Sequence, residues 1–415
     1  MNRFKAFFLV SRSSGYKYQR CLFFFAFALI TSPLLRAASL RANPDLDELV
    51  HDVCGKSVVV LGEDANHGSG NALTIKADIV QRLVDRCGFS GVLFESPIYD
   101  ALDLERAYSA HTATQAQLAN AIGGIWSVAG EFDPLVTYLH DKITNGRVRF
   151  GGVDMQAGSA TSTYQEKQLA SDLTISLPEA ERAHCEREID RNINWEYTRE
   201  SPYDEGTLER LRSCARAVEN SLPRESHDAT AARNIVLAFN LSKFFQFQNA
   251  TGMPDAPLRD KTMYENFVWY QKTHWPAGTK IIVWTATIHG AKQSLPPGAE
   301  TMGSRLHQLL GNRLAVIGFS AFSGSYGRQT QSPKQLSAAL QNSLEARVLS
   351  DSAGNDLRYI DSARLRQMGS ISARVLSYDT FASADWSHLL DGMVVFKQEH
   401  PLTVVRKAIP QQSAQ

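Results

Sequence analysis

The stretch from Ser57 to Glu95, SVVVLGEDANHGSGNALTIKADIVQRLVDRCGFSGVLFE, decides the fold of this chain. Val58, Val59, Val60 and Leu61 form a short β-branched and apolar run, the pattern of a strand buried on both faces. Gly62 ends the run, and Glu63-Asp64-Ala65-Asn66-His67-Gly68-Ser69-Gly70 follows as a loop holding two carboxylates and an imidazole. Ile75, Ile79, Val80, Leu83 and Val84 recur at helical spacing, and Gly88 stands where a helix C-cap glycine belongs. A second strand, Gly91-Val92-Leu93-Phe94, delivers Glu95 and is stopped by Pro97. Strands joined by a crossover helix run parallel, so His67 and Glu95 are expected at one carboxyl edge of a sheet, where open α/β folds place their sites.

Working outward, 415 residues suffice for a large core, and 43 basic residues balance 43 acidic ones. That balance gives no reason to expect nucleic acid or an anionic membrane as partner and points to a small molecule. Residues 1–38 read as a secretory signal: Arg3, Lys5, Arg12, Lys17 and Arg20 precede the apolar run Cys21–Ile30, with Ala37-Ala38-Ser39 soon after. A periplasmic or secreted protein is therefore expected, with no membrane segment once the signal is removed. Four cysteines remain, Cys54, Cys87, Cys185 and Cys214, and no C-x-x-C spacing suggests a metal site. Cys54 and Cys87 each precede a parallel strand and so lie at the amino edge of the sheet, which pairs them, leaving Cys185 to pair with Cys214 across two helices.

Beyond Glu95 the pattern is helical from Ala101 to Ala121, is broken at Gly123-Gly124-Ile125-Trp126-Ser127, and turns helical again through Leu135 and Ile143. A third strand, Val148 to Val153, exits at Asp154 and Gln156. Residues 158–255 show no strand pattern and read as a helical insertion, a cap over the strand exits, between α/β core segments 39–157 and 256–415. Lys280 to Trp284 is a fourth strand leading to His289, and Leu314 to Phe319 a fifth, followed by short strand-like pieces such as Met393 to Phe396. The expected fold is α/β: a mostly parallel central sheet flanked by helices, with the helical insertion at its carboxyl edge.

Four strands thus end in Glu63 and His67, in Glu95, in Asp154, and in His289. Any one of these is unremarkable as a hydrogen-bonded loop residue, but their convergence on one edge points to a reaction site. No G-x-S-x-G elbow occurs, so water is the expected nucleophile. A histidine oriented by a carboxylate takes its proton, and a second histidine or an arginine stabilises the oxyanion. Two histidines with carboxylates also suit a divalent metal, although no H-E-x-x-H pair fixes ligands at short spacing.

The motifs LGEDANHGSG, GFSGVLFESPIYD, GGIWS, FGGVDMQ, RDKTMYENFVWY, KIIVWTATIHGAK, MGSRL and LAVIGFSAFSG resemble, in order and spacing, those of the erythromycin esterase-like proteins across most of the chain after residue 38. The resemblance implies a mixed α/β fold with helices over the cleft and a hydrolase that opens an ester or lactone with histidine-activated water and no organic cofactor. It carries the family's functional positions onto Glu63, His67, Glu95, Arg259, Asp260 and His289. His67 is then the general base and Glu95 its orienting partner. His289 and Arg259 stabilise the acyl oxygen, Asp260 holds Arg259, and Asp154 and Trp126 support the site. The family places two residues between its first glutamate and histidine; here Asp64, Ala65 and Asn66 intervene, which ranks Glu63 behind His67 and Glu95. A divalent-metal hydrolase using the same side chains and a non-catalytic periplasmic binding protein are the alternative readings.

Overall fold

Continuous apolar runs need cover on both faces, and helices on the two faces of the sheet supply it. A computed structural model describes residues 43–349 and 356–405; the signal segment lies outside them. The strands are β1 (Val58–Glu63), β2 (Gly91–Pro97), β3 (Arg149–Asp154), β4 (Ile281–Ala286), β5 (Leu314–Tyr326), β6 (Lys334–Gln335), β7 (Leu357–Asp361), β8 (Ser370–Ala373), β9 (Ala382–Asp385) and β10 (Gly392–Glu399). The main sheet has the order β3-β2-β4-β1-β5-β10-β7, with β6 appended to β5. Neighbours from β3 through β10 are parallel, and β7 alone on that path is antiparallel. The chain is therefore α/β, a mostly parallel sheet flanked by helices.

Alternate residues of each strand enter different cores. Val58, Val60, Leu93, Val153, Ile281, Val283 and Val316 face one side, and Val59, Leu61, Val92, Phe94, Ile282, Trp284 and Ile317 the other. Helix Gly70–Cys87 packs Leu73, Ala77, Val80 and Leu83 onto the second core, and Gly88 closes it at φ +72° with its N–H bonded to Leu83 O. Helices Glu179–Ile193, Glu205–Ser221 and Ala229–Phe247 contribute Ile189, Leu211 and Leu241 to the first core, contiguous with Val153 and Met155 at the end of β3.

Both disulfides form: Cys54 to Cys87 with Cα atoms 5.1 Å apart, and Cys185 to Cys214 at 5.3 Å. Lys280 Nζ ties down the first by donating to the carbonyls of both Cys54 and Cys87. The carboxyl-terminal part differs from the sequence expectation. Met393 to Phe396 is the middle of an eight-residue strand lying against β5, which itself runs on to Tyr326. The polar ends of both strands conceal them in the sequence, because each finds its pairing partner some 75 residues away.

Candidate active site

β1, β2, β3 and β4 all end at the same edge, and the packing there is close. A Cβ on Gly62 would stand 2.8 Å from Thr287 Cα, so only glycine lets the exits of β1 and β4 meet. Glu63 is the last residue of β1 and is 1% exposed. The chain then turns sharply: His67 N donates to Asp64 O at 2.9 Å, and the Asp64 carboxylate accepts from the backbone of Asn66 and Tyr378. His67 takes φ +52°, a conformation that costs a residue bearing Cβ about 1–2 kcal/mol. The turn returns the imidazole to the strand it left, with Nδ1 2.7 Å from Glu63 Oε1. The three intervening residues thus bring Glu63 and His67 together rather than apart, which corrects the ranking of Glu63 behind Glu95.

Glu63 is held by three donors. Trp126 Nε1 also donates to Oε1, while Lys76 Nζ donates to Oε2 at 2.8 Å and lies 4.0 Å from the Trp284 ring centroid. The Trp126 ring meets His67 edge-on, centroids 5.4 Å apart. Burial acts strongly to raise the proton affinity of Glu63, yet the charge of Lys76 and the bond from His67 outweigh it and hold the carboxylate ionised. Burial likewise pulls Lys76 down to about 8 against the opposing pull of Glu63. Because Oε1 accepts from Nδ1, the proton of neutral His67 sits on Nδ1. Nε2, which has no partner among the described residues, keeps its lone pair.

The second half of the site is an arginine clamp. Arg259 Nη2 donates to Glu95 Oε1 and to Asp154 Oδ2, each at 2.7 Å, and Nε adds a contact to Asp154. Glu95 Oε2 accepts from Thr285 Oγ1 at 2.7 Å and Ala286 N at 2.9 Å. His289 gives Nδ1 to Asp260 at 3.0 Å and meets Arg259 Nη1 at 3.1 Å through Nε2, with Glu95 Oε1 3.5 Å away. Asp260 is fixed from behind by Met302 N at 2.9 Å. Burial disfavours ionised Glu95, but His289, Arg259 and His67 together hold its proton affinity well below the usual range. Burial pulls His289 down and is outweighed by Glu95 and Asp260, so its proton affinity rises.

Two expected pairings are corrected here. Glu95 is bonded to Arg259, Thr285 and Ala286 and acts on His67 only through space, because β4 lies between β1 and β2 and separates their exits. Asp260 holds His289, and Asp154 holds Arg259. In helix Ala256–Trp269 the consecutive residues 259 and 260 project about 100° apart, toward different partners. Lys76 escaped the sequence reading, although it stands among Leu73, Ala77 and Val80 on the inward stripe of its helix. Among the described residues no three or more His, Cys, Asp or Glu side chains come together as a metal site.

A family model described as erythromycin esterase matches residues 84–398. A search of curated proteins found no match. Three solved structures share the fold. A Bacillus cereus protein is 20% identical with a TM-score of 0.64, the match covering 88% of this chain and 93% of that one. A succinoglycan biosynthesis protein is 16% identical, with a TM-score of 0.64 and coverages of 86% and 92%. A mutant of the erythromycin esterase EreC in its open conformation is 15% identical, with a TM-score of 0.62 and coverages of 87% and 95%.

Proposed function

Because the chain belongs to the erythromycin esterase family, whose membership supports a hydrolase-like activity, we propose that it cleaves an ester or lactone with water activated by His67. The carrying observation is the His67–Glu63 pair: an imidazole with Nδ1 bonded to a buried, ionised carboxylate and an Nε2 without a partner among the described residues. Nε2 takes a proton from water as the oxygen attacks the acyl carbon, and Glu63 stabilises the imidazolium that forms. Lys76 and Trp126 fix Glu63 in position. Arg259 and His289 stabilise negative charge on the acyl oxygen and are themselves positioned by Asp154, Glu95 and Asp260. The His67 imidazolium returns its proton to the leaving alcohol, and His289, held by Asp260 through Nδ1 and meeting Arg259 through Nε2, keeps the guanidinium in place.

Two disulfides and the basic-then-apolar leader support export to an oxidising compartment, periplasmic or extracellular. No helix among the described residues is long and apolar enough to cross a membrane. The partner is a small-molecule ester or lactone, with no organic cofactor in the chemistry derived. The test is hydrolysis of a panel of activated esters and macrolactones by the exported protein and by His67→Ala. Loss of about 10²–10⁴-fold in the variant is expected. Unaltered turnover in the variant removes His67 from the mechanism, and activity that vanishes with chelator and returns with zinc or manganese replaces this reading with a metal-dependent one.

A further inference from the structure

A cavity of about 1060 Å³ lies in the helical segment, outside the residues assigned to chemistry. Its walls lead back to the arginine clamp from two directions. Gln156 lines it and stands two residues beyond Asp154, to whose carboxylate its N–H donates at 3.1 Å, so that wall begins within about 7 Å of the clamp along the chain. Pro254, on the other wall, precedes the helix that carries Arg259.

The chemistry of the lining is specific. Trp195, Tyr197 and Tyr203 form a cluster with ring centroids 5.1–5.2 Å apart. Trp195 remains 46% exposed in this cavity, on a backbone at φ +51°, a conformation disfavoured for a residue with a side chain. An indole held out of the core in that way presents its face to an occupant. The tyrosine hydroxyls are already spoken for by Asn192 and by Gln248 Oε1. The Gln156 side-chain amide and Gln248 Nε2 have no hydrogen-bond partner among the described residues, and they supply donors and an acceptor at the aromatic rim. The charged residues of the lining are Glu166 and Glu196, and no lysine or arginine is among them, which disfavours an anionic ligand.

We propose that this cavity binds a neutral glycan, stacking a sugar ring on Trp195 and reading hydroxyls through the amides, and that the ester cleaved at the clamp is an acyl group carried by that glycan. Flat aromatic faces suit the C–H face of a pyranose, and neutral amides suit hydroxyls that both donate and accept. The volume stands at the upper end for small-ligand pockets and has room for more than one ring. In the reaction, water oxygen bonds to the acyl carbon, the ester C–O bond breaks, the sugar hydroxyl leaves with a proton and the acid is released. This substrate class rests on the esterase reading above.

Calorimetric titration of the exported protein with neutral gluco-, galacto- and xylo-oligosaccharides tests the cavity without requiring turnover. Binding by at least one series is expected, weakened tenfold or more in both Trp195→Ala and Gln156→Ala, with circular dichroism confirming that each variant folds. Absence of binding to every oligosaccharide overturns the inference, as does equal binding by a folded Trp195→Ala, or binding only of an apolar or cationic probe such as a fatty alcohol or a quaternary amine. Hydrolysis of a small activated ester, measured in parallel, separates the two readings. Ester turnover without glycan binding overturns only the glycan assignment, and glycan binding without turnover of any ester overturns only the proposed chemistry.

Discussion

Replacing Lys76 with methionine isolates the interaction on which the His67–Glu63 pair depends. Lys76 and Glu63 are 0% and 1% exposed in their side chains and stand 2.8 Å apart. Removing one partner of such a buried pair typically costs about 3–5 kcal/mol, because the other charge is left without compensation. Methionine keeps an apolar side chain of similar length although it loses the ammonium over the Trp284 ring, and Glu63 retains Trp126 and His67 as donors, so the expected loss is about 3 kcal/mol. The catalytic effect follows from the same charge. Without Lys76 the burial of Glu63 goes less opposed, its proton affinity rises, and a protonated Glu63 no longer stabilises the His67 imidazolium. Turnover near neutral pH should fall about 10²-fold and recover as rising pH ionises Glu63. Urea unfolding gives the stability change, and pH–rate profiles on an activated ester give the kinetic one. The double variant Lys76→Met/Glu63→Gln, which removes both charges, should regain much of the stability and none of the rate. A single variant within about 1 kcal/mol of the parent, with an unchanged pH profile, refutes the role given to this lysine.

Three further outcomes are expected. Arg259→Lys keeps the charge but cannot bridge Glu95 and Asp154 in one plane, and its ester turnover should drop at least tenfold in steady-state kinetics; a wild-type rate would show that the fork geometry is dispensable. Burial raises the folded-state proton affinity of Asp64 to about 6 and of Glu399 to about 8. The native protein therefore keeps protons that the unfolded chain has released, and stability falls as pH rises from about 4 through those values, by up to about 1.4 kcal/mol per unit for each proton involved. Melting temperatures should decline from pH 5 to pH 8, and Glu399→Gln should flatten the upper part of that decline; a flat or rising profile in the parent contradicts it. Cys54→Ser/Cys87→Ser opens a loop spanning 33 positions and should cost about 3–4 kcal/mol in urea unfolding without altering ester turnover. Non-reducing peptide mapping that finds both cysteines as free thiols in the parent would remove that bridge.

The sequence by itself determined the parallel sheet and the edge at which its polar exits gather, because apolar β-branched runs joined by crossover helices admit few arrangements. It also determined the pairing of Cys54 with Cys87, since both precede strands that must start at the same edge. Only the tertiary structure decided which carboxylate meets which imidazole. That choice depends on strand order, with β4 inserted between β1 and β2, so Glu95 meets Arg259 and His289 while His67 turns back upon Glu63. The left-handed turn at His67 is not legible from local preference alone, because few residues with a side chain take that conformation and the bonds of Asp64 to Asn66 and Tyr378 hold the turn. Lys76 shows the same division. Its place on an apolar helix stripe is visible in the residues, but a lysine there is a stray solvated charge until the fold places Glu63 within hydrogen-bond reach and water is excluded from both.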